Sequence, residues 1–307
     1  MMKITFLGTS GSLPTKERNP SAVMINREGE LLLFDCGEGT QQQMMRAKTG
    51  MMRLTSIFLS HLHADHTLGV PGLLQTMAFQ GRTEELTIFG PTGLSDFFEA
   101  CRGLGLFALK YPIRIRELCP GDIVRRDGYT VKAVRTDHSV PSIGYILQDD
   151  PSPGRFNKER ALELGVPEGR LFAKLHRGEQ VTLSDGRLID PYKDGIVGKE
   201  RRGLKIGYSG DTRESGFFFT EAEGADLLIH EATFTKDTSE NAAEWGHSTA
   251  GGVGKMAARY HIGMLALVHI SQRFSEDITP VADEARSEFE NVIVPSDLDE
   301  LEITNPR

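Results

Sequence analysis

Residues 58–69 read FLSHLHADHTLG, and no other stretch restricts the chain so severely. Three of its nine histidines and one aspartate fall within six positions, as His61-x-His63-x-Asp65-His66. The apolar run LTSIFLS (54–60) just before it reads as a strand that delivers the chain into the cluster. In extended backbone the side chains at i and i+2 share a face, so His61 and His63 can grip one cation. Asp65 and His66 come about one turn later and can point at a second. The plainer readings are a histidine-rich solvated loop, or a site that is purely structural or regulatory. They have to be weighed against the other donors the chain offers.

Those donors sit in comparable places. His138 ends the strand pattern YTVKAVRTDHS, Asp211 follows LKIGYS in the tetrapeptide SGDT, and His269 closes MLALVHIS. Any one of them is weak, because a lone histidine is more often structural than a ligand. Their shared position, where a strand gives way to a loop, is what counts, since ligands fixed at strand ends make a rigid site.

Along the chain, β-rich runs alternate with helical patterns: strands at 3–8, 21–26, 31–35, 54–60 and 86–90, helices at 39–48, 68–79 and 94–104. Residues 113–148 are strand-dense. DDPSPGR (149–155) breaks the pattern, and the segment to about residue 203 is polar, Gly-rich and without clear period. Strands resume at 204–209, 226–231 and 264–270, with helices at 250–261 and near 279–290. Strands mixed with helices throughout predict an α/β protein, a single domain over 1–307 carrying an insertion at 154–203.

Several classes are excluded or disfavoured. Hydrophobic residues make up 39% and charged residues 25%, as in an ordinary globular protein. No apolar run approaches the ~20 residues of a membrane helix, so no membrane partner is expected. MMKITFLGTSGS lacks the apolar core of a signal peptide, which predicts a cytoplasmic enzyme. Cys36, Cys101 and Cys119 are odd in number, widely spaced and without a C-x-x-C pair, which predicts buried reduced thiols. The net charge of −8 argues weakly against a nucleic-acid partner, but it hides an asymmetry. Residues 154–205 hold twelve Lys or Arg against eight Asp or Glu, a net +4 that leaves −12 on the rest. A basic segment on an acidic body fits a protein that grips phosphates at one place, although an ordinary surface loop fits the count nearly as well.

H-x-H-x-D-H followed by single downstream His, Asp and His residues resembles the metallo-β-lactamase fold, an αββα sandwich holding two metals. More narrowly, FLGTSGSLPTKERN (6–19), FDCGEGTQQQ (34–43), FLSHLHADHTLGVPGLL (58–74), DHSVPSIGY (137–145), YSGDT (208–212), LLIHEATF (227–234), GHST (246–249) and HISQRF (269–274) are similar, in order, to the ribonuclease Z family. The resemblance implies a metal-dependent endoribonuclease that removes 3′ trailers from precursor tRNA, cutting after the discriminator nucleotide. It implies one Zn²⁺ on His61, His63, His138 and Asp211, and a second on Asp65, His66, His269 and the shared Asp211. Mn²⁺ is the alternative ion. It casts Asp65 as ligand and proton acceptor, His247 as proton donor to the leaving oxygen and Glu231 as the carboxylate that orients it, with His230 in support. His176 and His261 match nothing catalytic and are expected to be structural or at the surface.

The family's flexible arm falls at the insertion and implies a homodimer, one subunit's arm clasping tRNA served by the other. GVPEGRLFAKLHRGEQ (165–180) resembles the arm's tip, with Lys174 and Arg177 expected at the RNA. Arg170 departs from the pattern: the family commonly has a proline there, which would stiffen the tip. In PTKERN (14–19) Lys16, Arg18 and Asn19 resemble the loop that senses nucleotides beyond the cut, and Ser271 and Arg273 are expected near the scissile bond. Two other classes stay open: a hydrolase of small phosphodiesters or lactones on the same fold, and a non-catalytic RNA-binding module. The second would require broken ligands, and none is broken.

Overall fold

In the computed structural model, which describes residues 1–103 and 109–304, the apolar runs build two large sheets. Edge to edge, the first sheet is formed by Glu300–Ile303, Met2–Gly8, Ala22–Arg27, Glu30–Phe34, Leu54–Phe58, Leu86–Gly90 and Ile113–Glu117. The second is formed by Val292–Ile293, Leu265–Val268, Leu227–Glu231, Lys205–Tyr208, Ile143–Asp149, Tyr129–Arg135 and Ile123–Arg126. Leu54–Phe58 lies parallel to both its neighbours, and residues of both its faces are buried. A near-continuous apolar run is what such a doubly covered strand requires.

The layers follow from where the apolar side chains go. Between the sheets, Phe6, Ile25, Phe34, Phe58 and Phe89 meet Val131, Tyr145, Ile206, Tyr208 and Ile229. The rings of Phe34, Phe58 and Phe89 stack with centroids 5.2 and 4.8 Å apart, a favoured aromatic spacing. The outer face of the first sheet is covered by helices Thr40–Arg46, Gly69–Phe79 and Leu94–Gly103, through Met44, Leu73, Met77 and Leu94. Helices Gly216–Ala222, Ala250–Arg259 and Thr279–Glu288 cover the second, through Phe218, Phe219, Val253, Ala257 and Val281. The order helix, sheet, sheet, helix is the αββα sandwich the motifs implied.

Residues Asp149–Gly203 form a second compact unit. Within it, helices Lys158–Glu163 and Arg170–His176 and the hairpin Val181–Thr182 with Leu188–Ile189 surround Ala161, Val166, Leu175, Ile189, Ile196 and Val197. The sequence showed no order here because these apolar residues come singly and never repeat long enough to set a period. Arg170 opens its helix directly after Gly169, whose φ of 121° and ψ of −132° are open essentially to glycine. Arg170 thus occupies the first helical position, where a proline would be pre-organised. The boundaries also change the charge. Residues 149–203 hold eleven Lys or Arg and ten Asp or Glu, a net of only +1. Lys174 and Arg177 are exposed, the latter paired with Glu179 at 2.8 Å.

Other expectations need correction. The sequence pattern missed the helices Gly216–Ala222 and Ser239–Trp245 and the edge strand Glu300–Ile303, which pairs antiparallel with Met2–Thr5. ELEI carries charge at alternate positions and one firmly buried residue, too little apolar signal to mark a strand. Cys36 and Cys101 are buried thiols as expected, but Cys119 is exposed. Leu104, placed at the end of a helix, lies outside the described residues. No helix among the described residues is long and apolar enough to cross a membrane.

Candidate metal centre

The strands of both sheets end beside one another, and the chemistry-bearing residues follow those ends. His61 comes three residues after Leu54–Phe58, His138 three after Tyr129–Arg135, Asp211 three after Lys205–Tyr208, and His269 one after Leu265–Val268. Open sheets generally present ligands at the carboxyl ends of their strands. All seven residues singled out as ligands converge, in two groups: His61, His63 and His138, and Asp65, His66, Asp211 and His269.

The donor geometry fits cations. A cation about 2.1 Å from each of four tetrahedral donors separates those donors by about 3.4 Å. In the second group, Asp65 Oδ2 lies 3.4 Å from His66 Nε2 and 3.3 Å from His269 Nε2. Asp211 Oδ1 is 3.3 Å from His66 Nε2, and Oδ2 is 3.3 Å from His269 Nε2. Asp211 Oδ2 also reaches His61 Nε2 at 3.7 Å, so one carboxylate faces both groups. In the first group His63 Nδ1 lies 3.0 Å from His61 Nε2 and 3.3 Å from His138 Nε2. Buried His66 Nε2 and Asp211 Oδ1 have no hydrogen-bond partner, and a buried polar atom left so calls for an explanation such as an ion.

Outer partners fix which nitrogen of each ring faces inward. Asp35, immediately after Glu30–Phe34, accepts from Ser60 N, Ser60 Oγ, Tyr208 Oη and His66 Nδ1, each at 2.7 Å. His61 Nδ1 donates to the same Ser60 hydroxyl at 3.0 Å. His138 Nδ1 donates to the Gly246 carbonyl at 2.8 Å, and His269 Nδ1 to Thr233 Oγ1 at 2.8 Å. The Nε2 lone pairs of His61, His66, His138 and His269 are therefore turned toward the centre. Asp35 and His269 hold left-handed backbone, φ 54° and 57°, a strain of about 1–3 kcal/mol each that these bonds offset. Sequence reasoning missed Asp35, Ser60, Tyr208 and Thr233. The signal for Asp35 was a carboxylate ending an apolar run, LLLFD.

Electrostatics match this arrangement. Burial pushes the pKa of His61 well below its ordinary value, and burial lowers that of His138. Both are therefore neutral at neutral pH, the form that can offer a lone pair to a cation. Burial opposes charge on Asp65 and Asp211, yet the histidines around them hold both well below the usual carboxylate range. Asp35→Ala removes the acceptor that holds His66 directly and His61 through Ser60. The expected result is a 10- to 100-fold loss of metal affinity, roughly that of a lost outer partner, measured by competition with a chromogenic chelator. Unchanged affinity would strip Asp35 of that role.

A third group flanks the ligands. Helix Ser239–Trp245 ends on Gly246, φ 83°, where a Cβ would press on His138 Nδ1 at 2.9 Å. The next residue, His247, donates from Nδ1 to Glu231 Oε1 at 2.9 Å. Glu231 is buried and also accepts from Thr212 N, Ser248 N, Thr233 N and Thr233 Oγ1, so its own position is over-determined. Burial works against a charge on His247, but the Glu231 carboxylate beside it raises its pKa to about 9. His230 points elsewhere: it is fully buried and stacks on Phe219 with centroids 5.2 Å apart. His176 and His261 are exposed.

The residues expected at RNA divide. Lys16 is exposed, while Arg18 is buried and donates inward to Thr9 Oγ1 and Pro295 O at 2.6 Å each. Arg18 braces its loop rather than presenting its charge. Asn19 is half-buried, its backbone N–H bonded to Asp297 at 2.7 Å. Ser271 caps the turn Gln272–Phe274, and Arg273 lies over the Phe234 ring at 5.7 Å.

Sandwich and clustered donors together define a protein of the metallo-β-lactamase fold with a candidate site for a divalent metal. A solved protein of that fold from Bacillus subtilis superposes with a TM-score of 0.70 at 19% identity, covering 98% of each chain. Ribonuclease Z of Methanosarcina acetivorans is 55% identical over 303 residues, 99% of this chain and 98% of the relative. Human tRNase Z, short form, superposes with a TM-score of 0.71 at 29% identity, covering 98% of this chain and 99% of that one. The chain belongs to the ribonuclease Z family. A family model described as Anti-Pycsar protein Apyc1 matches residues 2–150. That match stops before Asp211, Glu231, His247 and His269, so it spans only part of the centre.

Proposed function

We infer that this protein is a metal-dependent endoribonuclease that cuts precursor tRNA after the discriminator nucleotide, leaving a tRNA 3′-hydroxyl and a trailer 5′-phosphate. The observation that carries this is the joining of two donor groups through Asp211, with the His247–Glu231 pair alongside. Full-length likeness to ribonuclease Z supports the substrate. His61, His63, His138 and Asp211 would hold one divalent cation, and Asp65, His66, His269 and Asp211 the other. The nitrogen and oxygen donors suit Zn²⁺, with Mn²⁺ as the alternative. When bound, paired cations supply Lewis-acid chemistry, making water more acidic and neutralising charge on a phosphoryl group.

The chain's own residues do the rest. Asp65, held ionised, orients the attacking water and takes its proton. His247 donates a proton to the departing 3′-oxygen, which would otherwise leave as an unstable alkoxide. Glu231 holds the imidazole with Nδ1–H turned toward itself, leaving Nε2 free for that donation. We further read residues 149–203 as a tRNA-binding arm, Lys174 and Arg177 among its contacts, in a cytoplasmic homodimer. Lys16, Arg273 and Ser271 are read as contacts near the cut, and Arg18 and Asn19 as supports of that loop.

Incubating the protein with a 3′-extended precursor, with and without chelator, and mapping both product ends tests the reaction. Intact precursor, or chelator-resistant cleavage, would refute it. The arm has a separate test. Gln148 and Lys205 are paired neighbours on adjacent antiparallel strands, so Asp149–Gly203 can be replaced by a short Gly-containing turn. The shortened protein is expected to lose at least about 10-fold in precursor affinity, the effect of removing several phosphate contacts. It should hydrolyse bis(p-nitrophenyl) phosphate as before. Equal loss of both activities, or of neither, counts against the arm.

A further inference from the structure

A cavity of about 210 Å³ opens beside the ligands, its walls including Leu13, Thr233, Phe234, Trp245, Ser271 and Arg273. Two of its wall residues touch the side chains of the candidate metal centre. The Thr233 hydroxyl on its wall bonds His269, and the Phe234 ring lies 6.0 Å from that of His247. Trp245, the chain's single tryptophan, ends its helix two residues before His247 and is 61% exposed. Leu13 across the cavity is 55% exposed. Large apolar side chains left bare together at the rim of a reactive centre mark a binding surface more often than chance. Arg273, seated over Phe234, adds a fixed cation, and Ser271 and Gln272 add polar groups. A flat apolar ring attached to an anion, which is to say one unpaired nucleotide, satisfies all of these features.

The position of His247 selects which nucleotide, on the reading that this protein cuts precursor tRNA. The imidazole serves the leaving 3′-oxygen, and that oxygen belongs to the ribose on the 5′ side of the cut. The base carried by that ribose therefore falls on the His247 side of the centre, where the cavity lies. We propose that the cavity receives the discriminator base, stacked on the exposed Trp245 ring, with Arg273, seated over buried Phe234, against the adjoining phosphate. The base and its phosphate would hold the leaving oxygen within reach of the proton donor.

Because Trp245 is the only tryptophan, its emission reports occupancy directly. The wild-type protein is titrated with tRNA ending at the discriminator, and with the same RNA made abasic at that last position. Intact RNA should quench at least half of the emission and abasic RNA should leave it nearly unchanged. Equal quenching by both, or by neither, overturns the proposal. Stacking on one aromatic ring contributes roughly a 5- to 150-fold factor. Trp245→Ala should therefore lower kcat/KM for a 3′-extended precursor within that range, and Trp245→Phe much less. An abasic discriminator should cost the wild type a similar factor and cost Trp245→Ala almost nothing more. Independent, additive losses overturn the proposal. So does an equal loss on bis(p-nitrophenyl) phosphate, because that substrate has no such base and the loss would mean that Trp245 merely supports His247. Wild-type protein that leaves the precursor uncut would sink the underlying reading instead, a result distinguishable from all of these.

Discussion

Replacing Asp65 by alanine is expected to abolish precursor cleavage, a loss on the order of 10⁴-fold or more, while tRNA affinity stays within a few fold. Asp65 Oδ2 sits 3.4 Å from His66 Nε2 and 3.3 Å from His269 Nε2, so its removal opens one donor position of the second group. On the proposed mechanism, removing it also takes away the acceptor for the attacking water's proton. The RNA contacts proposed for the loops and for residues 149–203 are untouched. Single-turnover cleavage, a gel-shift titration and elemental analysis of bound metal check the three parts separately. Turnover near the wild-type level would remove Asp65 from the mechanism, and a collapse of RNA affinity would place it in binding instead.

The second large effect is expected at His247. Losing a general acid usually costs about 10²- to 10⁴-fold, and His247→Ala should fall in that range on precursor tRNA. With bis(p-nitrophenyl) phosphate the loss should nearly vanish, because p-nitrophenolate departs without protonation. The pH profile carries a sign that a structural role would not reproduce. The working form of a proton donor is protonated, so activity declines as pH rises through its pKa. Burial lowers that pKa, but the Glu231 carboxylate, helped by Asp211, outweighs burial and leaves it at about 9. Glu231→Gln removes the anion that raises it, so the alkaline limb must move to lower pH, by about one unit or more for a hydrogen-bonded charge. A limb that stays in place, or moves to higher pH, would overturn the assignment of Glu231 as the orienting carboxylate.

What could be read in advance depended on how local the information was. The strand Leu54–Phe58 announced itself because four of its five residues are buried, which leaves an unbroken apolar run. The cluster after it was legible because four donors share six positions. Glu300–Ile303 was not, since it is an edge strand whose pattern is half charge, and its place is decided by pairing with residues nearly 300 positions away. Asp35 was inside a recognised segment and still passed over: its role exists only because Ser60, Tyr208 and His66 arrive around it. Arg18 was assigned to RNA from its loop, but the buried Thr9 hydroxyl and Pro295 carbonyl claim its guanidinium. Positive charge in the insertion was likewise a matter of boundaries, falling from +4 over 154–205 to +1 over the compact unit 149–203.

By itself, then, the sequence determined the donor types, their placement at strand ends and the alternation of strands with helices, because each is set by residues adjacent along the chain. Only the tertiary structure decided that Asp211 faces both groups, which nitrogen each ring turns inward, and that Trp245 opens onto a cavity beside His247. Those facts arise where two sheets pack through a shared aromatic core and bring distant strand ends together, and no period along the chain encodes which ends will meet.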